Sequence, residues 1–336
     1  MTDRQWLVPC ALLTSLLAAV GLTLIPGEAG LAGALTLLPL WVMASAAIGG
    51  LYALPSLRRM QRQGVTSPFA QIARLAGHHW RQVLFVAFAM LLAGLNMITF
   101  MWTKPLLNHL AAFWADPLLA DIDWYLFLGR DPASLFGWLN SMPSAIFYHR
   151  AWFALMVMTL LMVLTRPPSA EKSALMLTYF LLWSLIGPAI HLALPAAGPV
   201  FYAALGYGDR FASIHVPEDM AKMSNYLWHG YSTGKFLPGG GISAMPSLHI
   251  ATTAWMVIAV TVFARRWVMP TAAAGLAIFV LSISLGWHYA VDGIVGGAAA
   301  LGAYLLAKSG YARLAQSRPG RSAGADAGLA PAATLG

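Results

Sequence analysis

The sequence predicts an all-α polytopic membrane protein with about eight transmembrane helices. Three observations carry that prediction. Apolar residues make up 59% of the 336 residues and charged residues only 10%; the mean hydropathy is +0.68; and apolar runs of spanning length recur along the chain. A water-soluble core of this size requires a more polar surface. Crossing a ~30 Å hydrocarbon layer takes about 20 apolar residues, with ~17 as a working minimum.

The runs fall at 7–25, 31–54, 83–102, 151–165, 174–194, 248–264, 270–285 and 291–307. The first begins after a charged start but has no small-x-small cleavage site before Pro26-Gly27-Glu28, so it reads as a retained span and not as a signal peptide. It also holds Cys10, the one cysteine of the chain. A disulfide or a thiolate metal site within one chain is therefore excluded. Residues 1–55 form two N-terminal spans, and 56–82 a basic linker whose Phe69, Ile72 and Leu75 have helical spacing and suit an amphipathic surface piece.

The fourth run is short, and a start near Ile146 lengthens it while leaving His149 and Arg150 at the interface. The last two runs are separated only by 286–290 and form a hairpin. Two long segments interrupt the pattern. Residues 104–150 are rich in Trp, Phe and Leu and read as short interfacial or re-entrant helices, with Trp114, Trp124 and Trp138 in an aromatic belt. Residues 195–245 are glycine-rich and read as an ordered cap. The tail 309–336, rich in Ala, Gly, Ser and Pro, reads as disordered.

Basic residues alternate between sides. Arg4, Arg58, Arg59, Arg62, Arg74, Arg81, Arg166, Lys172, Arg265, Arg266, Lys308, Arg313, Arg318 and Arg321 share one side, and the other side carries most of the acidic residues. The positive-inside rule then makes both termini cytoplasmic. The formal net charge of +8 is accounted for by these membrane edges and anionic headgroups, and the basic residues form no aromatic-interleaved patch of the kind nucleic acid requires.

The chemistry concentrates in two stretches, Gly240-Gly-Ile-Ser-Ala-Met-Pro-Ser-Leu-His-Ile250 and Gly286-Trp-His-Tyr-Ala-Val-Asp-Gly293. They bring His249, His288 and Asp292 to the outer side of a region nearly empty of charge, where ionisable groups are costly. His288 and Asp292 are four apart, which on a helix sets both on one face and lets the carboxylate orient the imidazole. His249 follows Pro246 and Ser247 at a helix start, whose free N–H groups favour an anion. Ser247 would add a hydroxyl donor to such a phosphate. Of the other histidines, His191 reads as buried packing, His78 and His79 lie on the inner side, and His109, His149, His215 and His229 read as interfacial.

Met245-Pro-Ser-Leu-His249 and His288-Tyr-Ala-Val-Asp292 resemble the second and third signatures of the type 2 phosphatidic acid phosphatase superfamily, in particular its inositol phosphorylceramide synthase-like and sphingomyelin synthase-like branch. The resemblance implies a six-helix catalytic core over 83–308 and a lipid phosphatase or phosphotransferase without metal or cofactor. It implies that His288 attacks phosphorus, Asp292 orients it, and His249 protonates the leaving alcohol. It places the site at the periplasmic face of a bacterial inner membrane, with a lipid phosphate as substrate and water or a lipid alcohol as acceptor.

The match departs from the family at Leu248, where a glycine is usual, at Ile283, where the superfamily has arginine, and in lacking the first signature with its lysine. Phosphate counter-charges must come from elsewhere. Arg210, Lys222 and Lys235 in the outer segment are the candidates, with Arg130 and Arg150 behind them. The competing reading, a cation transporter or metal-binding membrane protein, uses His249, His288 and Asp292 as a two-histidine, one-carboxylate ligand set. A third reading is a non-catalytic membrane protein with degenerate motifs.

Overall fold

The computed structural model describes residues 1–27 and 29–316; most of the expected tail, 317–336, lies outside them. Every regular element among the described residues is helical. In chain order these are α1 (Arg4–Leu24), α2 (Leu31–Leu35), α3 (Leu37–Arg62), α4 (Pro68–His78), α5 (Trp80–Leu110), α6 (Asp116–Leu126), α7 (Pro132–Leu135), α8 (Met142–Ile146), α9 (Trp152–Leu164), α10 (Ala170–Leu181), α11 (Gly187–Ala193), α12 (Glu218–Ser232), α13 (Leu248–Phe263), α14 (Val268–Ser284) and α15 (Ala290–Gln316).

Among the described residues seven helices are long and apolar enough to cross a membrane: Arg4–Leu24, Leu31–Arg62, Trp80–Leu110, Met142–Leu164, Ala170–Ala193, Arg265–Ser284 and Ala290–Gln316. The chain is thus an all-helical polytopic membrane protein of about eight spans. The eighth candidate, α13, has 16 residues, a rise of only about 24 Å. It compensates by position, lying inside the bundle against α9, α10, α14 and α15. Its first turn carries His249.

Two spans contain π-helical turns, Phe147–Ala151 ahead of α9 and Leu182–Ile186 between α10 and α11. The first lengthens the short fourth run back to Met142. The close crossing of α13 and α15 depends on Gly296, where a Cβ would lie 2.6 Å from the Ser247 carbonyl oxygen and 3.3 Å from the Ala251 nitrogen.

The N-terminal spans are fastened by polar groups, the strong contacts available where lipid removes the hydrophobic drive for helix association. Asn96 of α5, fully buried, donates to Thr14 of α1 at 3.1 Å and to Ser184 at 2.5 Å. Trp41 of α3 donates to the Met90 carbonyl of α5 at 3.0 Å. At the end of the bundle away from α13's start, buried Lys172 pairs with Asp3 at 2.9 Å and donates to the carbonyls of Leu164 and Arg166. Tyr311 donates to the Gln5 carbonyl nearby. This end therefore gathers the N-terminus, the 165–169 turn and the far end of α15.

The other end is covered by the two long segments. Between the end of α5 at Leu110 and the span that starts at Met142 lie α6 and α7, and 195–245 holds α12 with turns. Ser284, in the last turn of α14, donates to the Phe136 carbonyl at 2.8 Å and to Asn140, whose amide reaches the His215 carbonyl. Asn108 of α5 pairs with both backbone groups of Ile242 at 2.7 and 2.8 Å, which anchors the glycine-rich stretch. α4 buries no side chain and leaves Phe69 73% exposed, as a helix lying on a surface does.

Candidate active site

A cavity of about 440 Å³ opens at this covered end. Its wall includes His249, His288, His149, Lys104, Tyr148 and Leu248, with Phe100, Trp152, Trp183 and Trp287 among the apolar and aromatic side chains.

His288 stands in the turn between α14 and α15. Its backbone N–H donates to the Ser282 carbonyl at 3.2 Å, and its Nδ1 lies 2.9 Å from the Ala244 carbonyl oxygen. Asp292 Oδ2 approaches the same nitrogen at 3.5 Å and accepts the Tyr289 N–H at 2.8 Å. Only oxygen acceptors face Nδ1, so Nδ1 carries the proton. Nε2 then holds the lone pair of the ring that lines the cavity. Asp292 Oδ1 is buried without a partner among the described residues.

His249 begins α13. Its ring lies over Tyr148 (centroids 4.8 Å, planes 21° apart) and against Trp152 at 4.2 Å, while its carbonyl accepts from Trp152 Nε1 and Thr253 Oγ1. The His249 and His288 rings are 6.4 Å apart, centroid to centroid. His149 adds a third imidazole, 5.8 Å from His249, and its Nε2 is buried without a partner, as are Tyr148 Oη, Trp183 Nε1 and Trp287 Nε1. Among the described residues these four polar atoms have no partner, and each is costly to leave so.

The expected site residues divide into two groups. His249, His288 and Asp292 come together. Ser247 is fully buried, accepts the Ile250 N–H at 3.4 Å as the cap of α13, and lies outside the cavity lining. Arg210 is held by Asp121 at 2.7 Å, by Asp131 at 2.9 Å and by the Ala120 carbonyl, an anchor between α6 and the cap. Lys222 is exposed on α12 and pairs with Glu218 at 2.7 Å. Lys235, Arg130 and Arg150 are exposed as well. None of these five basic residues lines the cavity.

The cation that does is Lys104. The apolar run 83–102 stops two residues short of this lysine, whereas α5 continues to Leu110. A lysine inside a spanning helix is itself a functional signal. His149, expected at the interface, is turned into the wall by the π-helical turn, and His191 is buried as expected, with Nδ1 3.0 Å from Ser243 Oγ.

Two buried carboxylates support the His288 turn from outside the cavity. Asp116 accepts the N–H groups of Ala197 and Gly198 and the Tyr289 hydroxyl at 2.9, 2.8 and 2.9 Å. Asp123 accepts the Ala290 and Val291 N–H groups at 2.6 and 3.0 Å and so caps α15. Burial pushes both carboxyls up to about 6 against these hydrogen bonds, and the nearby Asp292 adds to the rise. Among the described residues no group of three His, Cys, Asp or Glu side chains is arranged to hold a metal ion.

Fold and site together define a multi-pass membrane protein with two histidines and a carboxylate at one end of its bundle. The model of the PAP2 superfamily matches residues 122–306, more than half of the chain, and the chain belongs to that superfamily. Its members are phosphatases and phosphotransferases, which supports an enzyme acting on lipid substrates in a bilayer. No curated protein and no solved structure matches the chain.

Proposed function

We propose that this protein is a lipid phosphatase or phosphotransferase that works through a phosphohistidine at His288, in the transferase-like branch its motifs resemble. The observation that carries the reading is the meeting of His249, His288 and Lys104 in the wall of one cavity. His288 Nε2 attacks phosphorus as the bond to the leaving lipid alcohol breaks. His249, protonated, gives its proton to that alcohol oxygen. The positive charge that develops on the His288 ring is balanced by Asp292, and Lys104 faces the phosphoryl oxygens. In the second half, an acceptor hydroxyl loses its proton to His249 as its oxygen takes the phosphoryl group from Nε2, which restores both histidines.

The apolar wall, with Leu248 at the glycine position of the signature, keeps water scarce and favours a lipid alcohol as acceptor. The charge alternation between loops supports a periplasmic site, because the Lys172 and Tyr311 end of the bundle is the basic one. The test is to incubate purified protein with lipid carrying ³²P in its phosphate and quench in base. Acid-labile label on the wild type, absent from His288→Ala, is the expected result. Full turnover by His288→Ala overturns the proposal, and comparing phosphate release with headgroup transfer separates phosphatase from transferase.

A further inference from the structure

A second cavity, of about 260 Å³, lies between α1, α5 and the 184–192 stretch. Its wall is almost entirely hydrocarbon, with Leu17 and Val20 from α1, Leu107 and Leu110 from α5, and Pro188 and Leu192 from α11. Its two hydroxyls are already engaged, Thr103 to the carbonyls of its own helix and Ser184 to Asn96. The exception is Lys104, for which no ion pair is formed among the described residues.

Lys104 and Phe100, one turn apart on α5, line this cavity and the catalytic one alike. Phe100 and Lys104 therefore form a boundary that the two spaces share, and Lys104 is the cation on it. An ordinary lipid-facing surface has no use for a lysine at its inner edge, where the charge is costly; a ligand with an anionic head and an apolar chain does. The dimensions agree. On α1 the groove runs from Leu13 to Leu24, about 16 Å of helix rise, and this is one leaflet of a ~30 Å hydrocarbon layer. It lies in the half of the bundle that bears the catalytic cavity.

We propose that this groove holds a hydrocarbon chain of the lipid substrate, with its phosphate at Lys104 facing His288, a reading that rests on the phosphoryl-transfer proposal above. α1 and α5 both precede the segment that matches the superfamily, whereas the 184–192 wall lies within it, so the chain subsite forms where the N-terminal helices meet that segment. Selection among lipids by chain follows from α1, while chemistry follows from the core.

The test uses the full chain in phosphatidylcholine nanodiscs with a phosphatidic acid carrying a diazirine at the end of one acyl chain. Cross-links on residues 13–24 and 187–193 that excess unlabelled long-chain phosphatidic acid suppresses are expected. Leu17→Trp, which fills the groove, lowers the ratio of kcat/KM for long-chain over dihexanoyl phosphatidic acid about tenfold, the scale of a few displaced methylenes. Leu12→Trp, on the lipid-facing side of α1 where Leu12 is 63% exposed, leaves the ratio unchanged and controls for folding. Cross-links that competitor does not suppress, or equal ratios in the two variants, overturn the groove while His288-dependent turnover leaves the chemistry standing. Suppressible cross-links in the groove without any His288-dependent turnover support the groove and sink the chemistry instead.

Discussion

The hydroxyl of Tyr289 donates to the buried carboxylate of Asp116 at 2.9 Å, across 173 positions of sequence. Because Tyr289 follows His288 directly, and Asp116 also holds the amides of Ala197 and Gly198, one carboxylate ties the cap to the backbone of the proposed nucleophile. Asp116 is thus a positioning residue.

Asp116→Asn turns an amide N–H₂ toward donors that need an acceptor. A cost of about 1–3 kcal/mol in stability is expected, read as a lower Tm in detergent. A fall in kcat with KM little changed should accompany it, because substrate contacts are untouched. Tyr289→Phe removes one of the three donors and should be the milder of the two. Equal loss in kcat and in folded fraction would reduce Asp116 to a structural role.

Stability should depend on pH through the same cluster. The carboxyls of Asp116 and Asp123, raised by burial from 3.8 to about 6, bind protons more tightly folded than unfolded. Their contribution to stability is full below about pH 4 and is lost as pH rises through about 6. Each displacement of that size is worth on the order of 2 to 3 kcal/mol. Tm should therefore be higher at pH 5 than at pH 7.5, and Asp123→Asn, which keeps a capping oxygen for α15, should flatten that difference. A slope unaffected by the substitution would count against the assignment.

Lys104 and Arg210 make opposite predictions. Lys104→Met removes the cation of the cavity and should lower kcat/KM by about 10² to 10³, the usual range for a lost oxyanion partner, and Lys104→Arg should recover part of it. Arg210→Gln breaks contacts to Asp121 and Asp131 and should lower Tm while the folded fraction keeps its kcat/KM. Reversal of that pattern would return phosphate binding to the outer segment.

The membrane architecture was legible because span-length apolar runs and charge alternation are local properties of the chain. The meeting of His249, His288 and Asp292 was legible from spacing and helix-start residues, although His288 stands in the turn before α15 and not on a shared helix face as the spacing predicts. Asp116 and Asp123 were not: each reads as an outer-side charge until the fold brings it to Tyr289 or Ala290. Lys104 was hidden by an apparent span end two residues earlier. His149 depends on a π-helical turn, which no periodicity announces. Ser247 is equally a cap and a hydroxyl donor in sequence, and its side chain caps α13.

Lys172 is 1% exposed and holds Asp3 at 2.9 Å while bonding two carbonyls of the preceding turn. Lys172→Met leaves Asp3 and two carbonyls short of a donor, and a loss of about 3 kcal/mol is expected, the lower end for a broken buried pair, because Asp3 is 19% exposed and partly regains water. Asp3→Asn should cost less, since Lys172 keeps its carbonyl partners. Denaturant or thermal unfolding in detergent measures both. The site lies at the other end of the bundle, so kcat of the folded fraction should not move in either variant.

Gly198→Ala should be the most damaging small substitution near the site. The residue sits at φ +102°, where a side chain is strained, and a Cβ would lie 2.4 Å from the Trp287 carbonyl oxygen. Backbone cannot yield as a flexible side chain does, so either the 195–200 stretch or the Trp287–His288 turn must shift. A shift of the first breaks the Gly198 bond to Asp116 and the Val200 bond to the Gly286 carbonyl. A shift of the second moves His288 itself. Strain and clash together should cost about 3 kcal/mol or more, and phosphoryl labelling of the protein that still folds should fall by at least about tenfold, because reacting atoms tolerate little misplacement. Normal labelling and an unchanged Tm would mean that the cap does not set the position of His288.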